Sequence, residues 1–201
     1  MKNTVLKNLN NVYKRENPST YITNLSKIKN FVENRKNFLR DLKLPSQIFK
    51  DSSMIDFGCG SGQNSIVYDW LGSNCTLLEY DKESIANTTS LFKKFAKNKY
   101  KIIRTDLFNF KLKKKYDFVI SNGVIHHTKD PLQNIKICCK TVKKNGFLIL
   151  GWGETNGFFQ RNIQRLILSV ICKNEEEVIK FSKILFKDHL KRAVKYSGRT
   201  I

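Results

Sequence analysis

Residues 52–65 read SSMIDFGCGSGQNS, and the fold turns on what this run can bind. Met54, Ile55 and Phe57 are apolar and call for burial, yet Asp56 stands among them. Glycines then take every second position, at Gly58, Gly60 and Gly62. A short apolar strand ending in a glycine loop brings bare backbone close to a ligand. A P-loop needs a Lys after its last glycine, and none follows here. The dinucleotide fingerprint needs its third glycine where this chain has Gln63. With an acid two residues before the first glycine, a ligand carrying an ammonium group and a ribose fits better than a pyrophosphate.

Outward from this run the chain alternates strand and helix. CTLLEY at 75–80, YKIIRTD at 100–106, YDFVISN at 116–122 and FLILGWG at 147–153 read as further strands. YDFVISN is apolar nearly throughout, as a parallel strand buried on both faces should be. Gln63 to Leu71 reads as a helix ended by Gly72. Asp81 suits the N-cap of a helix reaching about Asn98, with Ile85, Thr88, Phe92 and Phe95 inward. Asp130-Pro131 reads as N-cap and first turn of another, with Leu132, Ile135, Cys139 and Val142 inward, and KKNG then turns the chain. Strands joined by helical crossovers form a parallel sheet with helices on both faces, and ligands bind beyond the carboxyl ends of its strands. The acids Asp56, Glu79 and Asp106 and the pair Ser121-Asn122 all fall at such ends.

MIDFGCGSG resembles motif I of the class I S-adenosylmethionine-dependent methyltransferases. LLEYDKESI, RTDLF and YDFVISNGVIHHTKDP are similar to that family's next three motifs, in order, over about residues 50–152. The resemblance implies a three-layer Rossmann-like α/β sandwich and S-adenosylmethionine as cofactor. It implies that Gly58, Gly60 and Gly62, with Cys59 between them, approach the methionine and ribose portions, and that Asp56 holds the methionine amino group. It implies that Glu79 accepts from the ribose hydroxyls, with Asp81 as the competing ligand. It further implies Tyr80 against the adenine, Asp106 accepting from the adenine amino group beside the Leu107 amide, and Ser121 and Asn122 near the sulfur. His126 and His127 follow the fourth strand. Either could take a proton from the methyl acceptor, or both could be structural. A metal site is not expected, since adjacent side chains diverge and no third ligand is suggested.

Residues 1–50 read as a helical N-terminal cap, 51–152 as the cofactor-binding core and 153–201 as a helical C-terminal segment. In the cap, Leu25, Ile28, Phe31 or Val32, Phe38 or Leu39 and Leu42 recur at helical spacing, up to Pro45. NEEEVIKFSKILF at 174–186 is amphipathic, with Asn174 as a plausible N-cap. The family's final strand hairpin is not evident after FLILGWG, so a truncated chain or a non-catalytic binding module is the alternative to an enzyme. The N-terminus lacks the apolar run of a signal peptide, and no stretch approaches the ~20 apolar residues of a membrane span.

A net charge of +20 raises nucleic-acid binding, but the lysines are spread along the whole chain. The densest run, Lys111, Lys113, Lys114 and Lys115, reads as a solvated turn. Strand four ends in SNGV rather than Asn/Asp-Pro-Pro-aromatic, and no Cys stands there to attack a pyrimidine. A tRNA acceptor therefore stays open but is not favoured over a small molecule. No membrane partner is expected. The cysteines Cys59, Cys75, Cys138, Cys139 and Cys172 form no C-x-x-C pair, which suits reduced, largely buried thiols in the cytoplasm.

Overall fold

The computed structural model describes residues 24–111, 114–151 and 155–187. Its centre is β1, Ser53–Phe57, with β2 Asn74–Glu79, β3 Tyr100–Arg104, β4 Tyr116–Asn122 and β5 Val142–Gly151. They form one five-stranded sheet in the order β3-β2-β1-β4-β5. Every pair is parallel. The chain builds to one side through β2 and β3, returns to the far side of β1 with β4, and so reverses direction between β1 and β4. In such sheets that reversal opens a crevice at the carboxyl ends.

Among the described residues there are six α-helices: α1 Leu25–Asp41, α2 Ser65–Trp70, α3 Lys82–Phe95, α4 Pro131–Thr141, α5 Thr155–Ile171 and α6 Glu175–Leu185. Alternation along β1 sends Met54 to one face and Ile55 and Phe57 to the other. On the first face, Ile28, Val32 and Leu39 of α1, Ile66 and Val67 of α2, and Leu91 and Phe92 of α3 close over Met54, Leu77 and Phe118. On the second, Cys138, Ile135 and Ile137 of α4 pack with Ile55, Leu78 and Val119. The expected layered α/β sheet is therefore present, its central strands β1, β2 and β4 largely buried and its edge strands β3 and β5 partly exposed.

The capping residues act as their chemistry dictates. Asp81 accepts from Ser84 N, Asp130 from Gln133 N ahead of Pro131, and Asn174 from Glu177 N. Asp69, fully buried in α2, accepts from Lys97 N at 2.7 Å and Asn98 N at 3.0 Å, tying that helix to the turn before β3.

Several expectations need correction. The helix after the glycine loop begins at Ser65, not Gln63, because the loop itself consumes the intervening residues. In α1, Leu25 and Leu42 are exposed, since only the middle of the helix lies on the core. In α4 the buried face is Asn134, Cys138 and Thr141, while Leu132 is 71% exposed and Cys139 is exposed. Ile135 alone of the expected set is partly buried there, and Val142 already belongs to β5. KKNG does not turn the chain between elements. It forms an irregularity within β5, between the pairings Tyr116↔Val142 and Phe118↔Phe147, with Asn145 at φ 64°. Cys59, Cys75 and Cys138 are buried as expected, Cys139 and Cys172 less so. Residues 1–23 of the expected cap, Lys113 of the lysine run and residues 188–201 lie outside the described residues.

At the opposite end of the sheet from the glycine loop, Asp117 joins three strands. It accepts from Ser53 N at 2.8 Å and Ser53 Oγ at 2.6 Å, and Lys143 Nζ approaches at 2.9 Å. Burial alone would raise its pKa. The hydrogen bonds from Ser53 and the Lys143 charge outweigh that and bring it down to about 2. A depressed carboxylate pKa contributes stability above the unfolded value, ~3.9, and loses it as pH falls toward about 2. Asp117→Asn should lower unfolding free energy at neutral pH by about 1 kcal/mol, since the group is partly solvent-screened. Denaturant titrations should show the difference from the parent shrinking as the pH is lowered toward 2.

Candidate functional site

The glycine loop leaves β1 in backbone that L residues rarely adopt. Gly58, Gly60 and Gly62 have φ of +83°, +55° and +76°. Two hydrogen bonds anchor its start to β2, from Gly58 N and Cys59 N to Leu78 O at 2.9 and 3.0 Å. Glu79, the next residue of β2, holds its middle: Oε2 accepts from Gly60 N at 2.8 Å. The other oxygen, Oε1, accepts from Tyr80 N at 2.8 Å and Asp81 N at 3.0 Å. From α3, Thr88 Oγ1 donates to Gly60 O at 2.6 Å.

Space divides the glycines. A Cβ on Gly58 would lie 2.6 Å from Val124 Cγ2, and one on Gly62 would lie 2.9 Å from Thr88 Cγ2. At Gly60 nothing lies within 4 Å, and the same holds at Gly123 after β4, where φ is +75°. The two open glycines follow the two strands that flank the reversal of the sheet. Next to Gly60 in the chain, the buried Ser61 Oγ has no hydrogen-bond partner among the described residues.

Asp56 is 4% exposed and accepts from Ser65 Oγ at 2.6 Å. Its pKa is raised to about 6, chiefly by burial; the Ser65 hydrogen bond opposes this, Glu79 adds to it and the Arg35 charge relieves it. Arg35 was not legible as a site residue. Its Nη2 donates to Asn64 Oδ1 at 3.2 Å, and its guanidinium stands over the Tyr68 ring at 5.4 Å. One signal could have revealed it: Ile28, Val32, Arg35 and Leu39 share the buried stripe of α1, and Arg35 is the charged member.

The remaining predicted residues are distributed around the same sheet end. Tyr80 is 58% exposed, so it is not a core residue. Asp106 Oδ1 accepts from Phe108 N at 2.8 Å and caps a 3-10 turn, Leu107–Asn109. Ser121 is fully buried and its Oγ donates to Phe57 O at 3.1 Å, so this hydroxyl is committed to joining β4 to β1. Asn122 is exposed beyond it. Cys59 is buried with its thiol pKa pushed well up by desolvation, which makes it an inert thiol. His126 and His127 lie in the 3-10 turn Ile125–His127, and their rings do not diverge: the centroids are 3.9 Å apart. Burial, then the neighbouring His126, lowers the His127 pKa. Among the described residues no group of three or more metal-type ligands lies together.

Comparison with known proteins agrees with the fold. A family model described as a methyltransferase domain matches residues 55–150. A ubiquinone biosynthesis O-methyltransferase from Pelagibacter ubique is 29% identical over 119 residues, covering 58% of this chain and 49% of that protein. The chain thus spans about half the length of the curated relative it matches (49%). A Galdieria sulphuraria protein assigned as a sarcosine dimethylglycine methyltransferase superposes with a TM-score of 0.50 at 16% identity, covering 58% of this chain and 44% of that one. An S-adenosylmethionine-dependent methyltransferase from Clostridium acetobutylicum gives 0.49 at 15% identity, over 73% of this chain and 56% of that one. Likeness at such identities is one of fold.

The glycines should separate by experiment. Gly62→Ala combines positive φ with a clash against Thr88 and should cost about 2 kcal/mol or more of stability. Gly60→Ala meets no atom and should cost about 1 kcal/mol. Thermal denaturation of the two variants measures the gap.

Proposed function

We propose that this chain, whose residues 55–150 form a Rossmann-like methyltransferase domain of class I, binds S-adenosylmethionine at this sheet end and moves its methyl group to a small-molecule acceptor. The observation that carries the reading is the glycine loop held by Glu79, with open space at Gly60 and Gly123 and an unpartnered Ser61 hydroxyl beside it. A group rich in hydroxyls and amines, brought close to bare backbone, fits that cradle.

On this reading Gly58, Cys59, Gly60 and Gly62 give the cofactor a backbone wall. A carboxylate offers about four acceptor positions, and loop amides take three of those on Glu79. One position remains, on Oε2, for a ribose hydroxyl. The exposed ring of Tyr80 lies against the adenine, and Asp106 accepts from its amino group beside the Leu107 amide. Asp56 offers a negative charge to the methionine ammonium, and Arg35 a positive one to its carboxylate. Asn122 and the backbone of Ser121 border the sulfur.

The cofactor supplies an activated methyl group, so the protein's work is orientation, exclusion of water and the handling of one proton. His126 or His127 would take that proton from the acceptor. The lowered pKa of His127 keeps it neutral, and so able to accept, at physiological pH. The name of the Pelagibacter relative makes an oxygen acceptor on a small molecule the corresponding reading here. Three buried free thiols suit a reducing cytoplasm. Transfer of labelled methyl groups into cell extract tests turnover, and saturable cofactor binding without transfer would make the chain a binding module instead.

Calorimetric titration with S-adenosylmethionine should give saturable binding, abolished by Gly60→Arg, whose side chain fills the open space. If the parent and Gly60→Arg bind alike, the site lies elsewhere. A cationic ligand favours ionised Asp56. Affinity should therefore rise with pH through about 6, by up to about tenfold between roughly pH 5 and pH 7.5. Asp56→Asn should flatten that profile.

A further inference from the structure

The helix that follows β5 turns its apolar stripe outward. Gln164 and Leu168 of α5, with Cys172 just past its end, stand four residues apart and are half-buried. The apolar stripe of the same helix, Phe159, Ile163, Leu166, Ile167, Val170 and Ile171, faces solvent. Phe159 is 66% exposed, Leu166 64% and Val170 77%. A helix that packs on its own protein turns its most apolar stripe inward. The stripe in α5 covers roughly 140° of the helix and runs about 18 Å along its axis, at 3.6 residues per turn and 1.5 Å per residue. The neighbouring α6 leaves Ile179, Ile184 and Leu185 exposed as well.

Charge indicates what covers this face. The sequence of α5 contains Arg161 and Arg165 and no acid. From there to Lys187 the basic residues Lys173, Lys180, Lys183 and Lys187 follow, against Glu175, Glu176 and Glu177 in the first turn of α6. Of these acids, Glu177 already accepts from Lys173 N at 2.7 Å. The whole chain carries +20. A second copy would bring the same positive charge to the contact, whereas an anionic bilayer brings the opposite one. A nucleic acid would match the charge and leave the apolar stripe unburied.

We propose that α5 docks on the surface of an anionic lipid bilayer. Its Phe159–Ile171 stripe lies at the boundary between headgroups and acyl chains, and the positive charge of the chain draws it to the anionic surface. The helix rests in the surface and does not span it, consistent with no described helix being long and apolar enough to cross a membrane. This docking does not depend on methyl transfer.

Flotation of the full chain with phosphatidylcholine vesicles, with and without phosphatidylglycerol, tests it. The chain should float with the anionic vesicles and far less with the neutral ones. The double variant Leu166→Glu, Val170→Glu should bind at least about tenfold more weakly. Asn162→Glu, an exposed polar site on the same helix, should change binding much less. All these positions are exposed, so circular dichroism and melting of the variants should match the parent. Three results would overturn the proposal. One is no flotation with anionic vesicles. Another is equal loss from Asn162→Glu and the double variant, which would mean charge alone. The third is a lipid-free dimer that the double variant dissociates, which would make the stripe a contact between copies.

Discussion

The hydrogen bond from Gly60 N to the Glu79 carboxylate is the contact on which the site depends. It fixes the middle of a loop whose three glycines all lie in left-handed backbone. An isolated loop would not hold that geometry, because each glycine has more freedom than any other residue to lose. Here β2 supplies the constraint: Leu78 O takes the first amides of the loop and Glu79 takes a later one. The parallel pairing Phe57↔Leu78 puts those acceptors alongside the loop. The crossover that places β2 beside β1 therefore also shapes the loop.

Burial sets the electrostatics. Asp56 sits in an apolar strand because its oxygen meets Ser65 at the start of α2, and desolvation leaves its proton exchangeable near neutrality. Arg35 enters from α1 on a stripe otherwise apolar, which gives that helix a part in the site besides covering the core. Asp117 shows the opposite balance at the far end of the sheet. There, hydrogen bonds and a lysine overcome burial and hold the carboxylate ionised. Burial prevails at one carboxylate, and hydrogen bonds with a lysine prevail at the other.

The strands, their order of appearance and the acids at their carboxyl ends were legible because apolar runs, glycine punctuation and N-cap residues are local signals. Asp81, Asp130 and Asn174 cap as read. What could not be read depends on tertiary placement. Leu132 and Cys139 satisfy helical spacing, yet α4 turns a neighbouring stripe to the sheet. KKNG has turn composition, yet the strand resumes its pairing after it. Ser121 lies at a strand end as expected, but its hydroxyl is spent on Phe57 O, which no pattern in the sequence announces. The outward stripe of α5 was hidden for the same reason, since periodicity gives a face but not its direction.

On the proposed reading, the loop between Gly58 and Gly62, its Glu79 partner and the open glycine after β4 form one ligand wall. Amide chemical-shift mapping with S-adenosylhomocysteine tests that most directly. The largest shifts on titration should fall at Gly58, Gly60, Gly62, Glu79 and Gly123, with the Asp117 end of the sheet unmoved. Saturable shifts centred away from these residues, or none at all, would contradict it.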